Sequence, residues 1–201
     1  MIRTVFMGTP EFACPILDTL MKQTNVVLVV TQPDKLVGRK KILTPSPVKE
    51  KALNSNIPVF QPIKIREDYE EIKNYQPDLI VTCAYGQIVP KEVLDIPRLG
   101  CINVHASLLP KYRGGAPIEH AIMNGEKETG VTIMYMDVHL DTGDMISKKS
   151  IPILHEDTKD SLGEKLSKLG SSLLEEVLPS IINGVNERVK QNEEEASYAK
   201  I

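Results

Sequence analysis

The sequence predicts an α/β domain: a doubly wound, mostly parallel sheet with helices on both faces. Three observations predict it. Short runs rich in Val, Ile and Leu recur at residues 2–7, 26–31, 57–60, 79–83 and 101–104. Helical stretches separate them. The runs are apolar on both faces rather than alternating, the pattern of parallel strands covered on both sides.

Taken in order, residues 11–22 carry Phe12, Ile16, Leu17 and Leu20 at helical spacing after the first strand. Ser46 and Pro47 offer an N-cap followed by proline at the first helical position, opening a helix through about Leu53. Residues 69–75 read as another helix before the strand at 79–83. After Asn103 the pattern changes. Residues 117–123 form a short helix ending at Gly125, and residues 131–136 and 145–151 read as two strands joined through Asp141-Thr-Gly143. Residues 160–182 form a long amphipathic helix whose stripe of Leu162, Leu166, Leu169, Leu173, Leu174, Val177 and Leu178 serves core packing. Beyond Gly184 the chain turns polar, with Gln191-Asn-Glu-Glu-Glu195. The expected division is a domain over residues 1–184 and a polar tail or the start of a linker over 185–201.

Composition narrows the classes. The 201 residues suffice for one large domain, or for one domain with a tail. Aromatic residues are 4% and tryptophan is absent, so Ile, Val and Leu must build the core. No apolar run approaches the roughly 18 residues of a membrane span. The opening Met1-Ile-Arg3-Thr-Val-Phe6 lacks the layout of a signal peptide. Cys14, Cys83 and Cys101 are odd in number and widely spaced, and read as buried free thiols of a cytoplasmic protein. A net charge of −3 argues against nucleic-acid binding over the whole surface but leaves room for a local basic patch.

The chemistry concentrates in Cys101-Ile-Asn103-Val-His105-Ala-Ser107-Leu-Leu-Pro110. Side chains alternate along a strand, so Asn103 and His105 project to one face. They stand at the carboxyl end of the strand, where ligands bind in open α/β sheets. An amide, an imidazole and a distant carboxylate such as Asp141 can hold a developing oxyanion and manage protons. The same pair could instead only satisfy loop backbone groups.

Gly8-Thr-Pro-Glu-Phe12 occupies the first strand-to-helix turn without the GxGxxG spacing, which disfavours a nicotinamide or flavin dehydrogenase. Residues 32–46 read as a long loop in which Lys35, Arg39, Lys40 and Lys41 gather positive charge around Gly38. That loop is either a phosphate-binding patch or a solvated mobile segment. His139 stands two residues before Asp141, so a metal set with His105 can be drawn, but no third ligand is evident and no metal is expected. His120 and His155 have no companions and belong to the surface.

Together these residues resemble the methionyl-tRNA formyltransferases, within the wider family of enzymes that use 10-formyltetrahydrofolate. The formyl-transfer core is carried by Asn103-Val-His105, Ser107-Leu-Leu-Pro110 and Asp141 in Leu140-Asp-Thr-Gly-Asp144. The tRNA-directed branch is suggested by Phe6-Met-Gly-Thr-Pro10, Thr31-Gln-Pro-Asp34, Gly38-Arg39, Pro45-Ser-Pro-Val-Lys49, Val59-Phe-Gln-Pro62 and Ala84-Tyr-Gly86. The resemblance covers essentially the whole chain. It implies a Rossmann-like formyltransferase fold, 10-formyltetrahydrofolate as co-substrate without a metal, and methionyl initiator tRNA as acceptor in translation initiation. It implies catalytic roles for Asn103, His105 and Asp141, and a basic loop, Arg39 with Lys40 and Lys41, that meets the acceptor end of the tRNA. Ser107, Leu108, Leu109 and Pro110 would shape the pocket around the folate or around the terminal adenosine; the sequence does not decide which. Family members continue into a C-terminal β-barrel, absent here, and a monomer without membrane attachment is expected. The alternatives are formyl transfer to another amine, an amino sugar nucleotide or glycinamide ribonucleotide, and a non-enzymatic RNA-binding domain. A metal hydrolase is a further one.

Overall fold

The structure is a computed structural model describing residues 1–201. It comprises two compact units, Met1–Cys101 and Ile102–Ile201.

In the first unit, β1 (Arg3–Gly8), β2 (Asn25–Val30), β5 (Val59–Phe60) and β6 (Leu79–Cys83) form a sheet in the order β5-β2-β1-β6, every pairing parallel. Running outward from β1 to β2 and β5 and then returning to β6 on its other side is the doubly wound pattern. The β-branched runs supply the core: Val5, Phe6, Leu28, Val29, Val30, Ile80 and Val81 have no exposed surface. The expected helix at 11–22 begins as a 3-10 turn, Glu11–Ala13, and continues as α1 (Cys14–Gln23), burying Ile16, Leu17 and Leu20. Gly8 at the end of β1 is required by packing: a Cβ there would lie 2.9 Å from the carbonyl oxygen of Cys83 on β6. In α2 (Pro47–Asn54) the Ser46 hydroxyl accepts from the Lys49 amide at 3.0 Å, so the predicted cap and N1 proline both form. Two short helices complete the unit, α3 (Glu70–Asn74) and the unforeseen α4 (Lys91–Leu94).

The expected structureless loop at 32–46 is corrected. It contains an antiparallel hairpin, β3 (Lys35–Val37) with β4 (Ile42–Thr44), turning over residues 38–41. Gly38 takes φ +78 and Lys41 φ +47, and the Lys41 amide donates to the Gly38 carbonyl. The alternation that marks strands was masked because Leu36, Val37, Ile42 and Leu43 are apolar on both faces yet exposed.

The second unit holds all but the first residue of β7 (Cys101–His105), with α5 (Pro117–Met123), β8 (Glu128–Tyr135), β9 (Met145–Pro152) and α6 (Lys159–Ile182). Its strands run β7-β8-β9, antiparallel throughout. Thr158 and Ser161 form a reciprocal capping box at the start of α6. This helix packs on β8 and β9, burying Leu162, Leu166, Leu173, Leu174, Leu178 and Ile181, while Leu169 and Val177 sit half-buried at the stripe's edge. Residues 185–201 lie along this unit: Val189 exchanges two backbone hydrogen bonds with Met145, and Ala199 is fully buried. The three cysteines are buried and unbridged. Burial raises all three thiols, Cys14 to about 11, with Glu11 adding to the effect there. No helix is long and apolar enough to cross a membrane.

Candidate active site

Asn103 and His105 leave β7 on the same face, opposite Met134 and Thr132 of β8 in the antiparallel register. His105 is 7% exposed and Asn103 half-buried. Asp141, distant in sequence, comes to the imidazole: its Oδ2 lies 3.7 Å from His105 Nδ1, with the carboxylate only 10% exposed. The other ring nitrogen, Nε2, lies 2.8 Å from the Tyr112 carbonyl oxygen. A carbonyl can only accept, so Nε2 carries a proton and Nδ1 is the nitrogen left to face the carboxylate and any reacting group. The Gly114 amide donates to the same Asp141 Oδ2 at 2.7 Å. One segment, Tyr112 to Gly114, thus orients both members of the pair.

That segment is itself braced from below. The Ser107 hydroxyl donates to the Lys111 carbonyl at 2.6 Å, and Ser107 is fully buried. Thr132, also fully buried, donates through its hydroxyl to the Ser107 carbonyl at 2.7 Å and accepts from the Leu109 amide at 3.1 Å. The Leu109–Pro110 peptide is cis, and Lys148 Nζ donates to the Leu109 carbonyl at 3.1 Å. Leu108 is half-buried, whereas Leu109 and Pro110 are buried.

Asp141 adopts φ +55, in the left-handed region that non-glycine residues occupy only when their surroundings hold them there. Close by, Gly143 has no alternative: a Cβ would lie 1.7 Å from the Tyr135 carbonyl oxygen of β8. His139, by contrast, is exposed, its amide bonded to Asp137. No cluster of three or more His, Cys, Asp or Glu side chains is placed to hold a metal ion.

Arg39, Lys40 and Lys41 are all exposed in the turn of the hairpin in the first unit. At the hairpin's base, Lys49 Nζ grips both oxygens of Asp34 at 3.0 and 3.1 Å, and Gln61 Nε2 donates to Asp34 Oδ1 at 2.8 Å. The Gln61 and Lys49 hydrogen bonds hold the Asp34 carboxyl below the usual carboxylate range.

A family model described as formyl transferase matches residues 2–178. The chain belongs to the formyl transferase family. It is 57% identical over 201 residues to a protein named methionyl-tRNA formyltransferase from Macrococcus caseolyticus, covering 99% of this chain and 65% of that one. A protein of the same name from Lysinibacillus sphaericus is 55% identical over 202 residues, with 99% and 64% covered. The chain therefore spans just under two thirds of the length of these relatives. Among solved structures, an N-formyltransferase from Helicobacter canadensis in complex with folinic acid and dTDP-3-aminofucose superposes with a TM-score of 0.79 at 26% identity, covering 100% of this chain and 71% of that one. The mostly parallel Rossmann-like α/β fold predicted from the sequence is thus the formyl transferase fold.

The structure adds residues that sequence reasoning missed: Tyr112, Arg113 and Gly114 on the orienting segment, Thr132 on β8, and Gln191 from the polar tail. Arg113 is the largest fully buried side chain of the chain. A charged residue followed by two glycines just after Pro110 was a readable signal of a special backbone. Thr132 and Gln191 offered none, because their roles depend on strand register and on where the tail lies.

Proposed function

We propose that this protein transfers the formyl group of 10-formyltetrahydrofolate to the α-amino group of methionyl initiator tRNA, and so acts in translation initiation. The observation that carries the reading is the buried His105–Asp141 pair at the end of β7, with Asn103 two residues earlier on the same strand face. The names of the Macrococcus and Lysinibacillus relatives support the acceptor, and the folinic acid in the Helicobacter canadensis complex supports a folate donor. The exposed basic turn Arg39-Lys-Lys41 supports an acceptor bearing phosphates.

In this mechanism the methionyl amine attacks the formyl carbon, and negative charge builds on the formyl oxygen. The Asn103 amide and a proton on His105 Nδ1 stabilise that oxygen; one such donor is commonly worth roughly 3 kcal/mol in a site closed to water. Since Nε2–H is committed to the Tyr112 carbonyl, both stabilisation and proton movement by the ring pass through Nδ1. Asp141 balances the charge of the doubly protonated ring and receives the proton of the attacking amine, which then goes to the departing N10 of the folate. The C–N10 bond breaks as the new formamide C–N bond is kept, so neither a metal nor a covalent enzyme intermediate is needed. Ser107 to Pro110 would shape the pocket beside these groups, with the Ser107 hydroxyl bonded to the Lys111 carbonyl.

The test gives the purified protein 10-formyltetrahydrofolate with methionyl initiator tRNA, dTDP-3-aminofucose, glycinamide ribonucleotide or water as acceptor. Formyl-methionyl-tRNA as the main product is the expected result. Preferential formylation of the amino sugar or of glycinamide ribonucleotide would reassign the acceptor. Release of formate with water alone would make the protein a hydrolase.

A further inference from the structure

The proposed catalytic carboxylate is held by a residue some fifty positions further along the chain. Gln191 Nε2 donates to the carbonyl oxygens of Asp141, at 2.9 Å, and Gly143, at 2.8 Å. At its other end, Gln191 Oε1 accepts from Arg113 Nε at 3.1 Å and Nη2 at 2.9 Å. The remaining Arg113 donors go to both carboxylate oxygens of Glu193, at 3.0 and 2.8 Å, and to the Tyr198 hydroxyl at 3.2 Å. All five guanidinium N–H groups are therefore engaged although the side chain is fully buried. The backbone of Arg113 is fixed as well: its amide donates to the Ser197 carbonyl at 2.8 Å, and its carbonyl accepts from the Ala199 amide at 2.6 Å. Its neighbours are the two residues that orient the catalytic pair, Tyr112 on His105 and Gly114 on Asp141.

We infer that Gln191 is a positioning residue for Asp141, holding the strained turn so that Oδ2 stays opposite His105 Nδ1; this rests on reading Asp141 as the catalytic carboxylate. The side-chain amide suits the task because it accepts at one end and donates at the other. Glutamate could keep the Arg113 contact but has no donor for the two turn carbonyls. Released from them, an aspartate at φ +55 has reason to relax toward ordinary backbone, carrying its carboxylate off the imidazole. Gln191 lies beyond residue 178, where the match to the family model ends.

The experiment makes Q191E, D141N and the double variant in the complete gene product. It measures kcat, both KM values and the midpoint of urea unfolding. Because misplacing a catalytic group by about 1 Å can cost about 100-fold, Q191E is expected to lower kcat between about 10- and 100-fold. Both KM values should stay within about two-fold and the urea midpoint should stay near that of the parent. In the D141N background, Q191E should lower kcat no further, since it acts through the carboxylate already removed. Should Q191E not fold, Q191M, which leaves Arg113 on Glu193 and Tyr198, is held to the same pattern. A parent-like kcat in Q191E with D141N impaired overturns the inference while the reading of the site stands. An equal further loss in the D141N background also overturns it. Near-normal turnover in D141N itself overturns the reading of the site, and this inference with it.

Discussion

Thr132→Val is the sharpest test of how the site is braced. The two side chains are nearly isosteric, so the change replaces a hydroxyl by a methyl and little else. The hydroxyl has two partners, donating to the Ser107 carbonyl at 2.7 Å and accepting from the Leu109 amide at 3.1 Å, in a residue with no exposed surface. Valine leaves both backbone groups unmatched where water cannot reach Thr132, and each orphaned group costs about 1–3 kcal/mol. The methyl returns about 1 kcal/mol of apolar burial. The net expectation is a loss of about 3 kcal/mol, which in a chain of this size lowers Tm by roughly 6–12 °C. Urea unfolding of parent, Thr132→Val and Thr132→Ser measures it. Serine keeps both hydrogen bonds and should lose only about 1 kcal/mol for the missing methyl. Because Thr132 faces His105 across the β7–β8 ladder, the valine variant should also lose turnover. A valine variant within 0.5 kcal/mol of the parent would refute the bracing role of this hydroxyl.

Three further outcomes are expected. Asp141→Asn should lower kcat at least about 100-fold with the urea midpoint nearly unchanged, because the asparagine carbonyl can still accept from the Gly114 amide while its NH2 cannot take up the amine proton. Arg39→Ala should raise the KM for methionyl-tRNA, leave the affinity for 10-formyltetrahydrofolate unchanged, and reduce the slope of log affinity against log salt by about 0.9 for the lost phosphate contact; an unchanged slope would remove the hairpin turn from tRNA binding. Asp157, at the entrance to α6, is held at about 2 by Lys165, with the Leu154 amide and Ser161 assisting. A carboxyl depressed in the folded state stabilises above its unfolded value, near 3.9, and loses that contribution as pH falls through its folded value. Asp157→Asn should therefore unfold at lower urea than the parent at pH 7, with the gap closing between pH of about 4 and about 2.

Much of the architecture was legible because it rests on local periodicity. The parallel strands of the first unit, the Ser46 cap, α5 and α6 all follow from spacing and end signals that tertiary contacts reinforce. The hairpin at Lys35–Thr44 was not legible, because consecutive apolar residues on a two-stranded ribbon give no alternation to read. At the site, Asn103 and His105 could be paired from one strand, and the Asp141-Thr-Gly143 turn could be seen, but what joins them could not. The contacts of the Tyr112 carbonyl, the Gly114 amide and the Gln191 amide depend on backbone groups and on the course of residues 185–201; the glycines after Arg113 mark a special backbone but not these partners.

Those unmarked contacts give the two oxygens of Asp141 different work. Oδ2 accepts from the Gly114 amide and faces His105 Nδ1, so it belongs to the scaffold and to the imidazole. Oδ1 takes part in neither contact, and in the proposed mechanism it is the oxygen that receives the amine proton. The imidazole is divided in the same way, with Nε2 bound to the Tyr112 carbonyl and Nδ1 left, in that proposal, for the chemistry. On the proposed mechanism each group is thus anchored by one atom and reactive through another, so anchoring does not compete with proton transfer. A carboxylate free to rotate could exchange its oxygens and present the anchored one to substrate, and the imidazole could flip to follow. The Gly114 amide and the Tyr112 carbonyl, on either side of the buried Arg113, oppose both motions. The precision of the site therefore comes from one rigid backbone segment, more than from the strand that carries its histidine.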